Sequence, residues 1–115
     1  MRATAAILTL KDATAFGHSM EQILQAVTKT TRIGRLDIMS AHRAANIMEA
    51  RHIFYWCARY FTARSYPEIG RFIKRDHATI MHGVRKLDSD LSRVWPKIKA
   101  VAGELGETID ERMAA

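Results

Sequence analysis

Apolar residues between positions 65 and 91 recur every three or four residues, which is the spacing of helices with one buried face. Ser65 and Glu68 form a Ser-x-x-Glu capping box, in which each side chain can bond to the backbone of the other residue. Pro67 suits the first helical turn, because its missing N–H is not needed there. Asp76 is a typical N-cap for a second helix. The pattern predicts two short helices joined by a turn of about three residues.

The second of these helices has an apolar face and a polar face. Its apolar stripe falls at i, i+4, i+7 and i+11 and consists of Ile80, Val84, Leu87 and Leu91. The opposite side carries His77, Thr79, His82 and Lys86. Two helices of this size, with hydrogen-bonding side chains at the start of the second, match the helix-turn-helix arrangement.

Two apolar patterns precede this motif. Ser19 and Gln22 form another capping box, so a helix begins at Ser19, and it ends near Thr31. A short apolar helix follows, and its side chains are expected to close one end of the core: Leu36, Ile38 and Met39.

The longest predicted helix runs from Ile47 to about Ala63 without Pro or Gly. Its core-facing set is Ile53, Trp56, Cys57, Tyr60 and Phe61. After the motif, Asp88 and Asp90 indicate a charged surface, and Pro96 is expected to begin a last helix. The apolar residues of that helix repeat at i, i+3, i+4 and i+7: Ile98, Val101, Ala102 and Leu105. The fold class predicted from these patterns is all-α, a compact bundle of about five to six helices.

Positive charge is concentrated in the middle of the chain. The 115 residues have a net charge of +6, and positions 32–86 hold eleven Lys/Arg against four Asp/Glu, a balance of +7. A solvated basic surface would explain net charge alone, but the motif beside it favours a polyanion partner. We expect one domain at residues 19–106, with an N-terminal arm at 1–18 and an acidic tail at 107–115.

The sequence contains no recognisable catalytic or metal constellation. Its six glycines form no Gly-x-x-x-x-Gly-Lys phosphate loop. His77 and His82 are five residues apart, about 140° around a helix, so they do not converge as metal ligands. Cys57 is the only cysteine, which fits a reducing cytosol, and the apolar run near the N-terminus is too short for a membrane span. We expect no enzyme, cofactor, metal or membrane partner.

The motif also resembles a known family. Ser-Tyr-Pro-Glu-Ile-Gly at 65–70 and Arg-Asp-His-Ala-Thr-Ile-Met-His-Gly-Val-Arg-Lys-Leu at 75–87 are similar to the signature of the C-terminal DNA-binding domain of the bacterial replication initiator DnaA. The resemblance spans roughly residues 20 to 100. It implies a fold like DnaA domain IV, which is Trp-repressor-like, and double-stranded DNA as partner, bound by a monomer. It also implies a cytoplasmic, nucleoid-associated protein.

Side-chain chemistry and this resemblance assign roles in recognition. Base readout falls to Asp76, His77, Ala78 and Thr79; phosphate contacts fall to Arg59, Pro67 through its helix N-terminus, Arg75, His82 and Lys86. Two arginines are expected to make minor-groove or loop contacts, Arg43 and Arg51. Spacing alone would leave Arg51 and Arg59 in water on one helix face, and only the resemblance directs them to DNA.

Several positions depart from the family signature. Ala78 stands where the initiators usually have a threonine, Glu49 and Ala50 replace an Arg-Pro pair, and Ala45 replaces a basic-loop residue. We therefore expect a target sequence shifted from the initiator's own box.

These departures favour a transcriptional regulator, for example of phage-like genes, with RNA polymerase or another regulatory protein as a further partner. One alternative is a replication regulator that occupies initiator boxes at the origin. Another is a protein-interaction module whose contact surface would be the apolar residues near the N-terminus, together with Trp56 and Trp95 if either is exposed.

Overall fold

The computed structural model describes residues 18–62 and 64–107, and in these ranges it contains six helices and no strand. The helices are α1 (Met20–Thr31), α2 (Arg35–Met39), α3 (Ala45–Phe61), α4 (Tyr66–Ile73), α5 (His77–Asp88) and α6 (Leu91–Glu104). The predicted all-α bundle is confirmed. Positions 1–17 of the predicted arm and 108–115 of the predicted tail lie outside the described residues, and the division of the chain stays a prediction.

Helix α3 is the centre of the fold. It contacts each of the other five described helices, and every residue from Ala50 to Ala58 is buried. A helix that is apolar nearly all round has to be covered on all sides, and Phe54, Tyr55 and Trp56 are its largest fully buried side chains. The predicted core-facing set is correct but incomplete, because neighbouring helices also cover the side that carries Phe54 and Tyr55.

Both predicted capping boxes are present. The Ser19 hydroxyl accepts a bond of 3.1 Å from the Gln22 N–H, and the Gln22 amide oxygen accepts one of 2.7 Å from the Ser19 N–H. The pair at Ser65 and Glu68 repeats this exchange at 3.3 and 2.9 Å. These bonds satisfy N–H groups that have no partner inside the helix, so α1 and α4 begin where the sequence predicted.

Helix α6 begins earlier than predicted. Its first residue is Leu91, and Pro96 lies inside the helix. Leu91, Val94 and Trp95 are buried, so tertiary packing holds the first turn in place. Pro96 removes only one bond, the one to the carbonyl of the exposed Ser92. Leu91 therefore belongs to α6, although it still joins the buried stripe of α5.

The short helix α2 covers the core with fewer side chains than predicted. Ile38 is fully buried and Met39 is half-buried, but Leu36 is 87% exposed. A helix of five residues has little more than one turn, so it can turn only one narrow face toward the core.

Asp88 was predicted to mark a charged surface, but it is half-buried and bonds to a side chain of the core. Its carboxylate accepts a hydrogen bond of 2.8 Å from the indole N–H of Trp56, and its burial raises the pKa of Asp88. Trp95 packs edge-on against Trp56, with ring centroids 6.3 Å apart. Both tryptophans are buried, so neither offers the contact surface that a protein-interaction module would need.

Candidate nucleic-acid interface

A tight turn of three residues, 74–76, separates α4 from α5, as predicted. Lys74 adopts a left-handed conformation with φ 61°, and the Arg75 N–H donates to the Gly70 carbonyl over 2.9 Å. A Cβ on Gly70 would lie 2.4 Å from the Arg75 carbonyl oxygen. Gly70 is therefore the residue that lets the turn fold back closely against α4.

Helix α5 presents the polar face that the sequence predicted. Ile80, Val84 and Leu87 are buried. All predicted base-reading residues, Asp76, His77, Ala78 and Thr79, are exposed, and so are His82 and Lys86. The structure thus places the candidate reading residues together at the exposed N-terminal end of one helix.

Asp76 was predicted to cap α5 and to read a base, and the structure shows the cap. Its carboxylate accepts the Thr79 N–H over 2.8 Å and so caps α5. This bond lowers the pKa of Asp76, which therefore remains an ionised acceptor at neutral pH.

Gly83 sets the depth of α5 against α3. A Cβ at this position would lie 2.7 Å from Tyr55 Cδ2 and 2.8 Å from His52 Cδ2. Both rings are buried, so α5 can approach α3 this closely only because residue 83 has no side chain. The close approach fixes how far the polar face of α5 stands out from the protein.

Arg59 lies beside the N-terminus of α4, where Pro67 is exposed. Its guanidinium carbon is 5.0 Å from the ring centroid of Tyr66 and 5.9 Å from that of Tyr60. Its Nε is buried without a hydrogen-bond partner among the described residues. The aromatic rings hold this half-buried cation next to a helix N-terminus, where backbone N–H groups also attract anions.

Arg51 is not the water-exposed side chain that its spacing predicted. It is 4% exposed, and it donates from Nε to the Ile38 carbonyl over 2.7 Å and from Nη2 to the Asp37 carbonyl over 3.0 Å. Burial, together with the nearby cations Arg75 and Arg43, lowers the pKa of Arg51. Its observed bonds hold the end of α2, and its contact with DNA stays a prediction.

Arg75 likewise bonds within the protein. Its Nη2 donates to the Ser40 carbonyl, which joins the turn before α5 to the loop after α2. That loop carries Arg43, which is exposed. Arg75 and Arg51 therefore anchor the loop that positions Arg43.

These residues surround a cleft of about 330 Å³ between α3, α5 and the loop after α2. Four Lys/Arg and two histidines line this basic cleft: Arg43, Arg51, Arg75, Lys86, His52 and His82. Thr79 and Tyr55 line it as well. The cleft brings together residues that the sequence assigned to three different roles, namely base readout, phosphate contacts and minor-groove or loop contacts.

Sequence reasoning missed His52 and Tyr55 as parts of this site. Burial lowers the pKa of His52 to about 4, and Lys86, His82 and Arg51 act in the same direction. His52 is therefore neutral at pH 7. Burial raises the pKa of Tyr55, whose hydroxyl has no hydrogen-bond partner among the described residues. On a helix buried all round, the sequence contains no signal that separates these two from core residues.

Glu49, one of the departures from the family signature, is paired inside the protein. Its carboxylate oxygens lie 2.5 Å from Arg93 and 2.5 Å from Lys97. These bonds lower the pKa of Glu49. An acid at this position thus ties α3 to α6 and compensates cations of α6.

Two further features are absent from the described part of the chain. It has no helix long and apolar enough to cross a membrane. It also has no group of three or more His, Cys, Asp or Glu side chains arranged to hold a metal ion.

Two short helices, α4 and α5, are joined by a tight turn and pack against the buried central helix α3, and the second of them has an exposed polar face. This arrangement defines a helix-turn-helix domain. The family model described as the bacterial dnaA protein helix-turn-helix matches residues 20–87, which is more than half of the chain. The chain therefore belongs to the DnaA helix-turn-helix family, and the resemblance seen in the sequence is confirmed.

Curated relatives are named chromosomal replication initiator protein DnaA. One from Nitrobacter hamburgensis is 39% identical over 75 residues, which are 64% of this chain and 16% of the relative. One from Xanthobacter autotrophicus is 43% identical over 70 residues, 60% of this chain and 14% of the relative. One from Rhodopseudomonas palustris is 39% identical over 75 residues, with the same coverage as the first. The matched region is thus 14 to 16% of the length of these relatives.

Proposed function

We propose that this chain binds double-stranded DNA in a sequence-specific manner, with α5 in the major groove. The observation that carries the proposal is the exposed N-terminal end of α5, where four candidate reading residues follow one another from Asp76 to Thr79. In the helix-turn-helix class, this end of the second helix contacts base edges. Membership of the DnaA helix-turn-helix family supports the same partner.

Each reading residue has chemistry that suits a base edge. The Asp76 carboxylate can accept from cytosine N4 while it caps α5. His77 can donate to guanine N7 or thymine O4, and the Thr79 methyl group can pack against a thymine methyl group. Ala78 offers no hydrogen bond, so it can only contact a base through its methyl group.

The contacts that give affinity would surround this helix. His82 and Lys86 are exposed on the same face of α5, and Arg59 stands with Pro67 at the N-terminus of α4. Neutralising phosphates at these points would supply most of the sequence-independent affinity. The exposed Arg43 would enter the adjacent minor groove from its anchored loop.

Two histidines on one helix allow a matched test of base readout. His77→Ala is expected to cost about 1–3 kcal/mol on the chain's selected site with little loss on random duplex, because His77 reads a base. His82→Ala is expected to weaken both duplexes alike, because His82 contacts a phosphate. Affinities would be measured at fixed salt on a site obtained by in vitro selection. Equal losses from His77→Ala on both duplexes would contradict its role in readout.

For the biological role, we propose transcriptional regulation by a monomer associated with the nucleoid in the cytoplasm, with RNA polymerase or another regulator as a further partner. Ala78 and the reduced basic loop support a target different from the initiator's box. A second candidate, occupation of initiator boxes at the origin, is supported by the relatives' name. Genome-wide occupancy of the tagged protein would separate the two, since promoter peaks fit the first and origin peaks the second.

The substitution Ala78→Thr tests whether position 78 determines the target. It restores the residue that the initiators usually have, and a threonine can hydrogen-bond to base edges. We expect in vitro selection with this variant to return a motif closer to the initiator box than the unmodified chain does. The same motif from both proteins would remove position 78 from the determinants.

A further inference from the structure

We propose that the basic cleft is a binding site for a phosphoryl group, with the Tyr55 hydroxyl as a hydrogen-bond donor at its floor. The inference deepens the proposed function and rests on it in part, because a phosphate of the DNA backbone is one source of such a group. A free phosphate is the other source.

The first argument is the state of Tyr55. Its side chain is 1% exposed and lines the cleft, and its hydroxyl oxygen is buried without a hydrogen-bond partner among the described residues. A buried hydroxyl without a partner is costly, and such groups are rare in folded proteins. A ligand that accepts a hydrogen bond in the cleft would supply the missing partner.

The second argument is the charge around this hydroxyl. Arg51 and Arg75 act on Tyr55 electrostatically from the same cleft, and Lys86 and Arg43 complete its basic lining. The cations also act on one another: the pKa of Arg51 is lowered first by its burial and then by the nearby Arg75 and Arg43. An anion in the cleft would relieve the repulsion between these cations.

The donors present suit phosphate chemistry. An arginine carries five N–H donors, and the bond to Ser40 uses only one nitrogen of Arg75. Guanidinium groups bind the oxygens of a phosphoryl group through paired hydrogen bonds. The cleft volume of about 330 Å³ is at the lower end for small-ligand sites, which fits a small anion with its water.

The position of the cleft leaves both sources open. Thr79, His82 and Lys86 belong to the exposed face of α5 and also line the cleft. A DNA strand that follows α5 would therefore pass its mouth. A free phosphate would reach the same donors without DNA.

The first experiment measures thermal unfolding of the full chain in sodium phosphate and in sodium chloride of equal pH and ionic strength. Specific binding raises the unfolding midpoint in phosphate above that in chloride. The difference between the two midpoints is the phosphate increment. Because phosphate also stabilises proteins in general, the quantity of interest is the part of the phosphate increment that depends on Tyr55. Tyr55→Phe removes only the hydroxyl, and Tyr60→Phe on the same helix is the matched control.

A free phosphate site predicts that Tyr55→Phe loses at least half of the increment while Tyr60→Phe retains it. The second experiment compares the affinity of the unmodified chain and Tyr55→Phe for random duplex DNA at constant ionic strength. A backbone phosphate in the cleft predicts that Tyr55→Phe weakens every duplex several-fold and that phosphate displaces DNA more strongly than chloride. A phosphate increment that depends on Tyr55, without such competition, would identify a free phosphate as the ligand.

The proposal is overturned if Tyr55→Phe changes neither the phosphate increment nor the affinity for DNA. That result, with DNA binding intact, would leave the proposed function standing. Absence of DNA binding together with a Tyr55-dependent phosphate increment would contradict the proposed function and leave the phosphate site standing.

Discussion

Gly83 and Gly103 offer a paired test of the contact between α3 and α5. Both glycines lie inside helices, so changing either to alanine gains up to about 1 kcal/mol of helix propensity. At Gly103 the added Cβ would have no heavy atom of the described residues within 4 Å, apart from its chain neighbours and the backbone of its own helix. At Gly83 the Cβ would meet the rings of Tyr55 and His52 at 2.7 and 2.8 Å. The substitution is the same, and only the surroundings differ.

The magnitude follows from what has to move at Gly83. Tyr55 is 1% exposed and His52 8%, so neither ring can retreat into solvent. Inserting a methyl group into such a site costs about 1–3 kcal/mol, and two contacts below 3 Å place the cost in the upper part of that range. Gly103 lies in the last turn of α6, where the propensity gain is smaller than at Gly83, so the difference between the two variants is a lower estimate of this cost. We expect about 2–3 kcal/mol, or roughly 10–20 °C in the unfolding midpoint of a domain this small.

The assay is urea and thermal unfolding followed by circular dichroism on the unmodified chain and both variants. Gly103→Ala is expected to be as stable as the unmodified chain or slightly more stable, and Gly83→Ala clearly less stable. The slope of the urea transition should be unchanged, which would place the effect in the native state. If Gly83→Ala proved as stable as Gly103→Ala, the close approach of α5 to α3 would be refuted.

Two further predictions concern buried polar groups. The pKa of His52 is about 4 in the folded chain, whereas an unfolded histidine takes up its proton near 6.5. The contribution of His52 to stability should therefore be fully present well above pH 6.5 and should be lost, by up to about 3 kcal/mol, as the pH falls toward 4. The variant His52→Gln, compared with the unmodified chain by urea titration at pH 7 and 4.5, should lose this part of the pH dependence. An unchanged pH dependence would contradict the prediction. Asp88→Ala should cost about 1–3 kcal/mol, because it leaves the buried indole N–H of Trp56 unpaired, and Asp88→Asn should restore most of the loss. Equal unfolding midpoints for the two Asp88 variants would show that the bond contributes little.

The helix starts were predicted well where the signal is local. A capping box or an N-cap involves atoms three residues apart, so Ser19, Ser65 and Asp76 carry the complete interaction in the sequence. The start of α6 was missed because it depends on tertiary contacts. Proline favours the first helical turn, but the burial of Leu91 and Trp95 stabilises additional helical residues before Pro96.

The exposed polar face of α5 was predictable for a related reason. One side of this helix is apolar and the other polar, so periodicity alone assigns Thr79 and His82 to the exposed face. On α3 the same reasoning fails, because nearly the whole circumference is buried. Periodicity does not reveal that Tyr55 and His52 line a cleft, since that depends on which elements cover each side of the helix.

Arg51 and Arg75 show why a count of charges does not describe an interface. Both belong to the basic excess that pointed to a polyanion, yet each donates to main-chain carbonyls between residues 37 and 40. A guanidinium that bonds to main-chain carbonyls holds the loop in position and adds positive electrostatic potential. Its donors are partly occupied before any ligand arrives. Arg43 is exposed on that loop. The basic middle of the chain is therefore divided between arginines whose donors are partly used to hold the loop and cations that are exposed on it, and a count of charges does not distinguish the two groups.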